Sequence, residues 1–307
     1  LTKQKEQIPY HRPIQLSDRD KEIIKMRLDS SLESGQLTNG VWVRELERKI
    51  KEHYNVEYCI ATSSCTQALL ICLAQTQRDI QTTAFNWWSD FYLMDFLHKK
   101  VRWIDIDKET WLPIEEYAIP SLYLHTFGNT GKSFHPQSIY DASHCLFSKF
   151  EDIGLATCIS LAPTKLITGG EGGLILTNDD KFAKSTTLLR DRCCRMPEAN
   201  AIIALQTLEY KSDILKWKTV VRNYYRKHLS GHFQKRSHDS NWNTIGFLNA
   251  KKLKMPEHID FRQYYQPVIE SLKLPNTKYV YNNIICLPSY FNCDYKQIVK
   301  DILSVNE

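Results

Sequence analysis

An α/β architecture built on a mostly parallel sheet is predicted by three observations on this 307-residue chain. Short apolar runs of strand length alternate with longer segments of helical periodicity, the pattern of a sheet flanked by helices. Turn residues punctuate the alternation, among them Asn178-Asp179 and the stretch Gly169-Gly170-Glu171-Gly172-Gly173. Near residue 230 the texture changes to short strand-like pieces and one last helix. A large domain over 1–230 and a smaller C-terminal α+β domain over 231–307 are therefore expected.

The elements follow in order. Ser17-Asp18-Arg19-Asp20 reads as a capping box ahead of Ile24, Leu28 and Leu32 on one helical face, with Gly35 as the stop. A second helix is expected after Asn39-Gly40, with Val43, Leu46, Ile50 and Tyr54 at helical spacing. Tyr58 to Ala61 predicts a strand, Ser63-Ser64-Cys65-Thr66 a turn, and Leu69 and Leu73 mark a third helix. Further strands are expected over 101–106, 122–125, 138–140, 156–160 and 173–177. Further helices are expected over 90–97, 181–190, 198–210 and 213–229, and the last over 294–303.

Composition narrows the function. A hydrophobic content of 42% with 24% charged residues is that of a folded globular chain. Lys and Arg number 40 against 35 Asp and Glu, and they are scattered apart from short clusters such as Lys251-Lys252, so no nucleic-acid partner is expected. No apolar run reaches membrane-spanning length, and residues 1–7 lack the apolar core of a secretory leader; no membrane and a cytoplasmic setting are expected. The nine cysteines form no C-x-x-C pair or zinc spacing. Cys59, Cys72 and Cys158 lie in apolar runs as core residues, and Cys193-Cys194 reads as two reduced thiols in a loop.

Four local features fit one cofactor. Lys165, in Ser160-Leu-Ala-Pro-Thr-Lys165, follows a strand and precedes the glycine-rich stretch, so tight turns hold it. A lysine that attacks a carbonyl must be partly desolvated for its amine to be neutral. Asp141 ends an apolar strand, where a carboxylate can pair with the protonated ring nitrogen of pyridoxal phosphate. Ser63 to Thr66 precede a helix whose free N–H groups suit a phosphate, with Ser160 as a further hydroxyl. Phe85-Asn86-Trp87-Trp88 offers an aromatic face to a pyridine ring. Each feature also has a plain structural use: a loop lysine, an Asp or Ser cap, a packed Trp pair. Their order along the chain points to the cofactor.

With these motifs the sequence resembles the DegT/StrS family of sugar aminotransferases of fold type I. Gly40-Val-Trp-Val-Arg-Glu-Leu-Glu is similar to the family's early helix, and Ala61-Thr-Ser-Ser-Cys-Thr-Gln-Ala-Leu to its phosphate turn SSGTAAL. The block from Ala84 through Val101-Arg-Trp-Ile-Asp-Ile-Asp runs without a gap. Tyr140-Asp-Ala-Ser-His resembles the EDAAQ segment, and Ile159-Ser-Leu-Ala-Pro-Thr-Lys-Leu-Ile-Thr-Gly-Gly-Glu-Gly-Gly the lysine block. Arg195-Met-Pro-Glu and Ile285-Cys-Leu-Pro-Ser-Tyr are similar to two later motifs, so the resemblance spans most of the chain.

The resemblance implies pyridoxal 5′-phosphate, alternating with its pyridoxamine form, as cofactor. It makes Lys165 the Schiff-base lysine and Asp141 the pyridinium partner. Trp87 becomes the stacking aromatic and His144 a ring contact, while Ser64, Cys65, Thr66 and Ser160 receive the phosphate. It further implies transfer of an amino group from L-glutamate to a keto-sugar nucleotide, for amino-sugar, surface polysaccharide or O-antigen assembly. A homodimer with active sites at the subunit interface is implied too, with 193–195 near the shared site. The chain departs from the pattern at Cys65 for glycine, His144 for glutamine, Leu166 for asparagine and Cys193 for asparagine. The connections 128–138 and 144–153 are short. These departures keep open a catalytically impaired partner subunit or regulator; a sugar dehydratase would need histidine where Lys165 stands. Residues 247–267, with Arg262 and Tyr264-Tyr265, are expected on the substrate side.

Overall fold

The computed structural model describes residues 6–237, 240–249, 253–266 and 273–307. Lys251 and Lys252, and residues 250–252 and 267 of the expected substrate-side stretch, lie outside them. The capping box is formed: Ser17 Oγ accepts from the N–H of Asp20, and Asp20 Oδ2 accepts from that of Ser17 at 2.9 Å. It opens helix α1 (Asp18–Ser34), which Gly35 ends at φ 70°. The same Asp20 carboxylate accepts from Gln206 at 2.7 Å and from Tyr210, which ties α1 to α6 (Glu198–Leu208). Helix α2 (Val41–Tyr54) starts at Gly40, which has no side chain to cap it. Glu198 does so instead, its carboxylate accepting from the N–H groups of Gly40, Trp42 and Val43 at 2.8–3.0 Å.

The sheet comprises β1 (Tyr58–Thr62), β2 (Asp79–Thr83), β3 (Lys100–Ile104), β4 (Leu122–Leu124), β5 (Ile139–Asp141), β6 (Ala156–Ser160) and β7 (Gly173–Thr177). β4, β5 and β6 run parallel, while β7 is antiparallel to both β6 and β1. The parallel pair β2–β3 joins β4 through the Gln81–Ser121 bridge and a 2.8 Å bond from Thr82 Oγ1 to Leu122 O. Side chains alternate across it. Ile159, Leu174 and Leu176 pack with α2 and α6, whereas Ala156, Cys158 and Ile175 pack with α3 (Cys65–Leu73) and α5 (Asp180–Cys193). The expected α/β class and mostly parallel sheet are present, with β7 as the reversed strand.

Two elements correct the sequence reading. Strand β2 was not anticipated, because Gln81, Thr82 and Thr83 are polar although buried. Helix α8 (Pro275–Asn283) lies where only strand-like pieces and a final helix were expected. Pro275 stands at its start, and the Asp105 carboxylate accepts from the N–H groups of Asn276 and Thr277 at 2.9 and 2.8 Å. That cap comes from more than 170 residues away. A smaller revision concerns Cys193, which is the last residue of α5 rather than a loop residue; Cys194 caps that helix.

The C-terminal sheet has the order β10 (Ile284–Leu287), β9 (Ile245–Leu248), β8 (His232–Phe233), all antiparallel. Its core joins Phe247, Ile245 and Leu287 to Val221 and Tyr225 of α7 (Lys211–His228) and to Ile298 and Ile302 of α9 (Tyr295–Ser304).

Candidate active site

The C-terminal ends of β5 and β6, the start of α3 and the start of α4 (Trp88–Phe96) converge on a cavity of about 300 Å³. Ser64, Cys65, Thr66, Trp87, Asp141, His144, Ser160 and Lys165 all line it. The structure therefore brings together every residue that the resemblance assigns to the cofactor; Ser63, at the start of the phosphate turn, does not line the cavity.

Lys165 sits on a turn that the backbone knots tightly. Its N–H donates to Ala162 O at 3.0 Å, Leu161 N–H to Gly172 O at 2.9 Å, and Gly169 N–H to Leu161 O at 3.0 Å. Gly170 adopts φ 80° and Gly172 φ 157°, conformations that favour glycine. Gly173 has a different reason: a Cβ there would stand 2.5 Å from Ser64 O. The lysine turn thus rests directly on the turn that starts α3. Burial pushes the Lys165 amine down from its ordinary value, while Cys65 and Asp141 oppose the shift.

Ser64 is the N-cap of α3, its Oγ accepting from Gln67 N–H at 3.2 Å. The next N–H groups, of Cys65 and Thr66, belong to the first turn and have no intrahelical acceptor, so they form a seat for an anion. Cys65 is the first residue of α3, and helical backbone there needs no glycine. Its thiol is buried and pushed well up. Ser160 is buried, with Oγ accepting from Ala162 N–H at 3.2 Å. The segment 194–195 lies alongside, through a 2.9 Å bond from Ser63 N–H to Cys194 O and the Thr62–Arg195 bridge.

Asp141 is the last residue of β5, not a helix cap, and is only 2% exposed. Its Oδ1 accepts from Ser143 N–H at 2.9 Å. Burial raises its proton affinity; the Ser143 N–H and the Lys165 charge counter this. Trp87 is the N-cap of α4 and meets Tyr264 and Tyr265 edge-on, with ring centroids 6.0 and 6.2 Å apart. Tyr265 reaches His144, its hydroxyl 3.4 Å from Nδ1. Burial, with Lys165, Arg236 and Lys218 nearby, pushes the His144 proton affinity well down.

Sequence reasoning missed Ser89 and Ser143, which line the cavity, and Asp90 beside Asp141, and it assigned no role to Tyr264 and Tyr265, which line the cavity too. Ser143, two residues beyond a strand-end Asp, carries a legible turn signal. Asp90 carries a weak one, an acid in a helix's first turn. Chemically, the cavity joins a partly desolvated amine, a buried carboxylate, an anion seat and an aromatic wall.

A family model described as the DegT/DnrJ/EryC1/StrS aminotransferase family matches residues 18–119 and 138–304. An uncharacterized protein of Methanocaldococcus jannaschii is 24% identical over 186 residues, 52% of this chain and 48% of that protein. The chain therefore matches about half the length of that relative. GDP-perosamine synthase of Escherichia coli O157:H7 is 23% identical over 98% of each chain. Among solved structures, DesI, determined in the presence of its TDP-sugar product, superposes with a TM-score of 0.83 at 18% identity, covering 98% of this chain and 93% of DesI.

Proposed function

The chain belongs to the DegT/DnrJ/EryC1/StrS aminotransferase family, and from that premise we propose a specific reaction. The protein transfers an amino group from L-glutamate to the keto group of a nucleotide-linked hexose, with pyridoxal 5′-phosphate as cofactor. The observation that carries this reading is the convergence of Lys165, Asp141, the α3 start and Trp87 on one cavity. GDP-perosamine synthase and DesI with its TDP-sugar support the acceptor class. The product amino sugar is then material for surface polysaccharide or O-antigen assembly.

The residues fit the cofactor. Lys165 would hold it covalently and Asp141 would face its ring nitrogen. The phosphate would fall to the N–H groups of Cys65 and Thr66 and the hydroxyls of Ser64, Thr66 and Ser160. Trp87 and His144 would border the ring. When bound, pyridoxal phosphate supplies an electron sink for the Cα–H bond of an attached amine and carries the amino group between partners. Lys165 Nζ accepts the Cα proton of L-glutamate and delivers a proton to the acceptor carbon; burial, by loosening its own proton, suits it to both tasks. Asp141 keeps a proton on the ring nitrogen. The α3 seat fixes the position at which Lys165 works.

A homodimer is part of this proposal. Trp88, Tyr92 and Phe96 form a stripe at i, i+4, i+8 along α4, exposed by 41%, 67% and 71%. The stripe starts beside Trp87, so a partner covering it would reach the site. The proposal extends to the division at 230/231, with α7 packing into the C-terminal unit, and to the cytoplasm. All nine cysteines are free thiols, which supports a reducing compartment. No helix among the described residues is long and apolar enough to cross a membrane.

The test is spectroscopic. Protein purified with pyridoxal phosphate acquires a visible absorbance band, L-glutamate changes that band, and a keto-sugar nucleotide restores it with formation of an amino sugar detected by mass. Protein that takes up no cofactor, or a band indifferent to L-glutamate, sinks the reading.

A further inference from the structure

The carboxyl of Asp90, in the first turn of α4, lies against that of Asp141. Both residues are 2% exposed, and neither forms an ion pair among the described residues. An acid at this helix position ordinarily turns back to the N-cap N–H. Here that N–H, of Trp87, donates to Asn86 Oδ1 at 2.7 Å instead. Asp90 Oδ1 keeps a long bond from Ser89 Oγ, 3.3 Å, and Oδ2, fully buried, has no hydrogen-bond partner.

Two carboxylates in contact and out of water do not both ionise. The surroundings decide which one keeps the proton. Asp141 accepts a backbone N–H at 2.9 Å and feels Lys165 across the cavity, both of which favour its anion. Asp90 has the weaker support of the Ser89 hydroxyl and the Asn86 amide, with the buried thiol of Cys65 nearby. The α4 N-terminus favours a charge, but by less than the cost of an unpartnered buried carboxylate oxygen. A proton on the Asp90 carboxyl removes the conflict, since the acid becomes a donor and Asp141 its acceptor.

We infer that Asp90 is a positioning residue, which as the neutral acid donates a hydrogen bond to the Asp141 carboxylate and fixes that anion toward the cavity. Its consequence for cofactor binding rests on the proposed function, in which Asp141 faces a ring nitrogen. A hydrogen bond to the charged form keeps Asp141 ionised despite its burial. The proton on Asp90 itself is a property of the cofactor-free chain.

Infrared spectroscopy of cofactor-free protein carrying ¹³C-labelled aspartate tests this. Wild type at pH 7 shows the carbonyl stretch of a buried protonated aspartic acid, and Asp90→Asn loses it. Absence of the band in wild type, or its persistence in Asp90→Asn, overturns the inference. The infrared result is the same whether or not pyridoxal phosphate is the cofactor, so the two failures are distinguishable. Titration of cofactor uptake by absorbance supplies the second readout. Asp90→Ala, lacking a donor, binds about 10-fold or more weakly, whereas Asp90→Asn, whose amide still donates, stays within about 3-fold of wild type. Equal binding by wild type and Asp90→Ala, or an Asp90→Asn as weak as Asp90→Ala, contradicts the positioning role.

Discussion

The cradle around Lys165 and the unit around β9 are organised on different plans. In the cradle, the working atoms sit at strand ends and a helix start, placed by backbone bonds within a few residues: Ser143 to Asp141, Lys165 to Ala162, Gln67 to Ser64. In the C-terminal unit the deciding contacts bridge distant segments. Asp105 caps α8, Lys218 of α7 reaches Asn243 O and Ser289 Oγ at 2.8 and 2.9 Å, and Arg222 and Arg236 both lie over the Trp242 ring. The proposed chemistry thus rests on side chains held by bonds that are mostly local, and the far unit's stability depends on non-local bonds. Changes to the cradle should remove activity and spare the fold; changes to the other unit should do the reverse.

The sharpest break is Lys165→Ala. Activity is expected to fall about 10⁴-fold, the upper range for a lost general acid–base group, with no fall in the unfolding midpoint because a buried amine has been removed. A midpoint several degrees lower in cofactor-free protein would make the lysine structural. Gly173→Ala comes next, since its Cβ meets Ser64 O at 2.5 Å. Displacing the anion seat by a fraction of an ångström should cost about 100-fold in turnover; unchanged kinetics would mean the two turns are not coupled.

Asp105→Ala addresses the other half. Removing the α8 cap should lower stability by about 2 kcal/mol while leaving the cofactor band intact, as followed by denaturant melts and absorbance. Lys218 adds an effect that depends on pH. Burial pushes its amine down to about 7 from an unfolded value of 10.5. Between those values the unfolded chain binds the proton and the folded one does not, so stability rises with pH there; below 7 the burial penalty is fully present. Wild type should therefore gain on Lys218→Met as pH climbs from about 7 to 9, by at most about 1.4 kcal/mol per unit. Parallel pH profiles of the two proteins would refute the assignment.

The same contrast explains what could be read in advance. Ser17 with Asp20, the α2 stripe of Val43, Leu46 and Ile50, and the β6–β7 runs are local patterns, and each formed where expected. The convergence of the proposed site residues on one cavity was legible for that reason. Strand β2 was hidden because its buried Gln81 is satisfied by polar bonds to Tyr117 O and Ile119 O, which no hydrophobic pattern registers. Helix α8 was hidden because its cap is Asp105. Asp90 escaped notice because its meaning arises only from contact with Asp141, far along the chain.

The contact between Gly173 and Ser64 has a practical side. The amine and the anion seat are parts of one block, with no slack between them that a loop exchange could use. On the proposed function, anyone wishing to redirect this protein to another acceptor should leave residues 61–67 and 160–173 untouched and diversify the wall at Tyr264 and Tyr265. There, shape can change while the proposed cofactor anchorage is inherited whole.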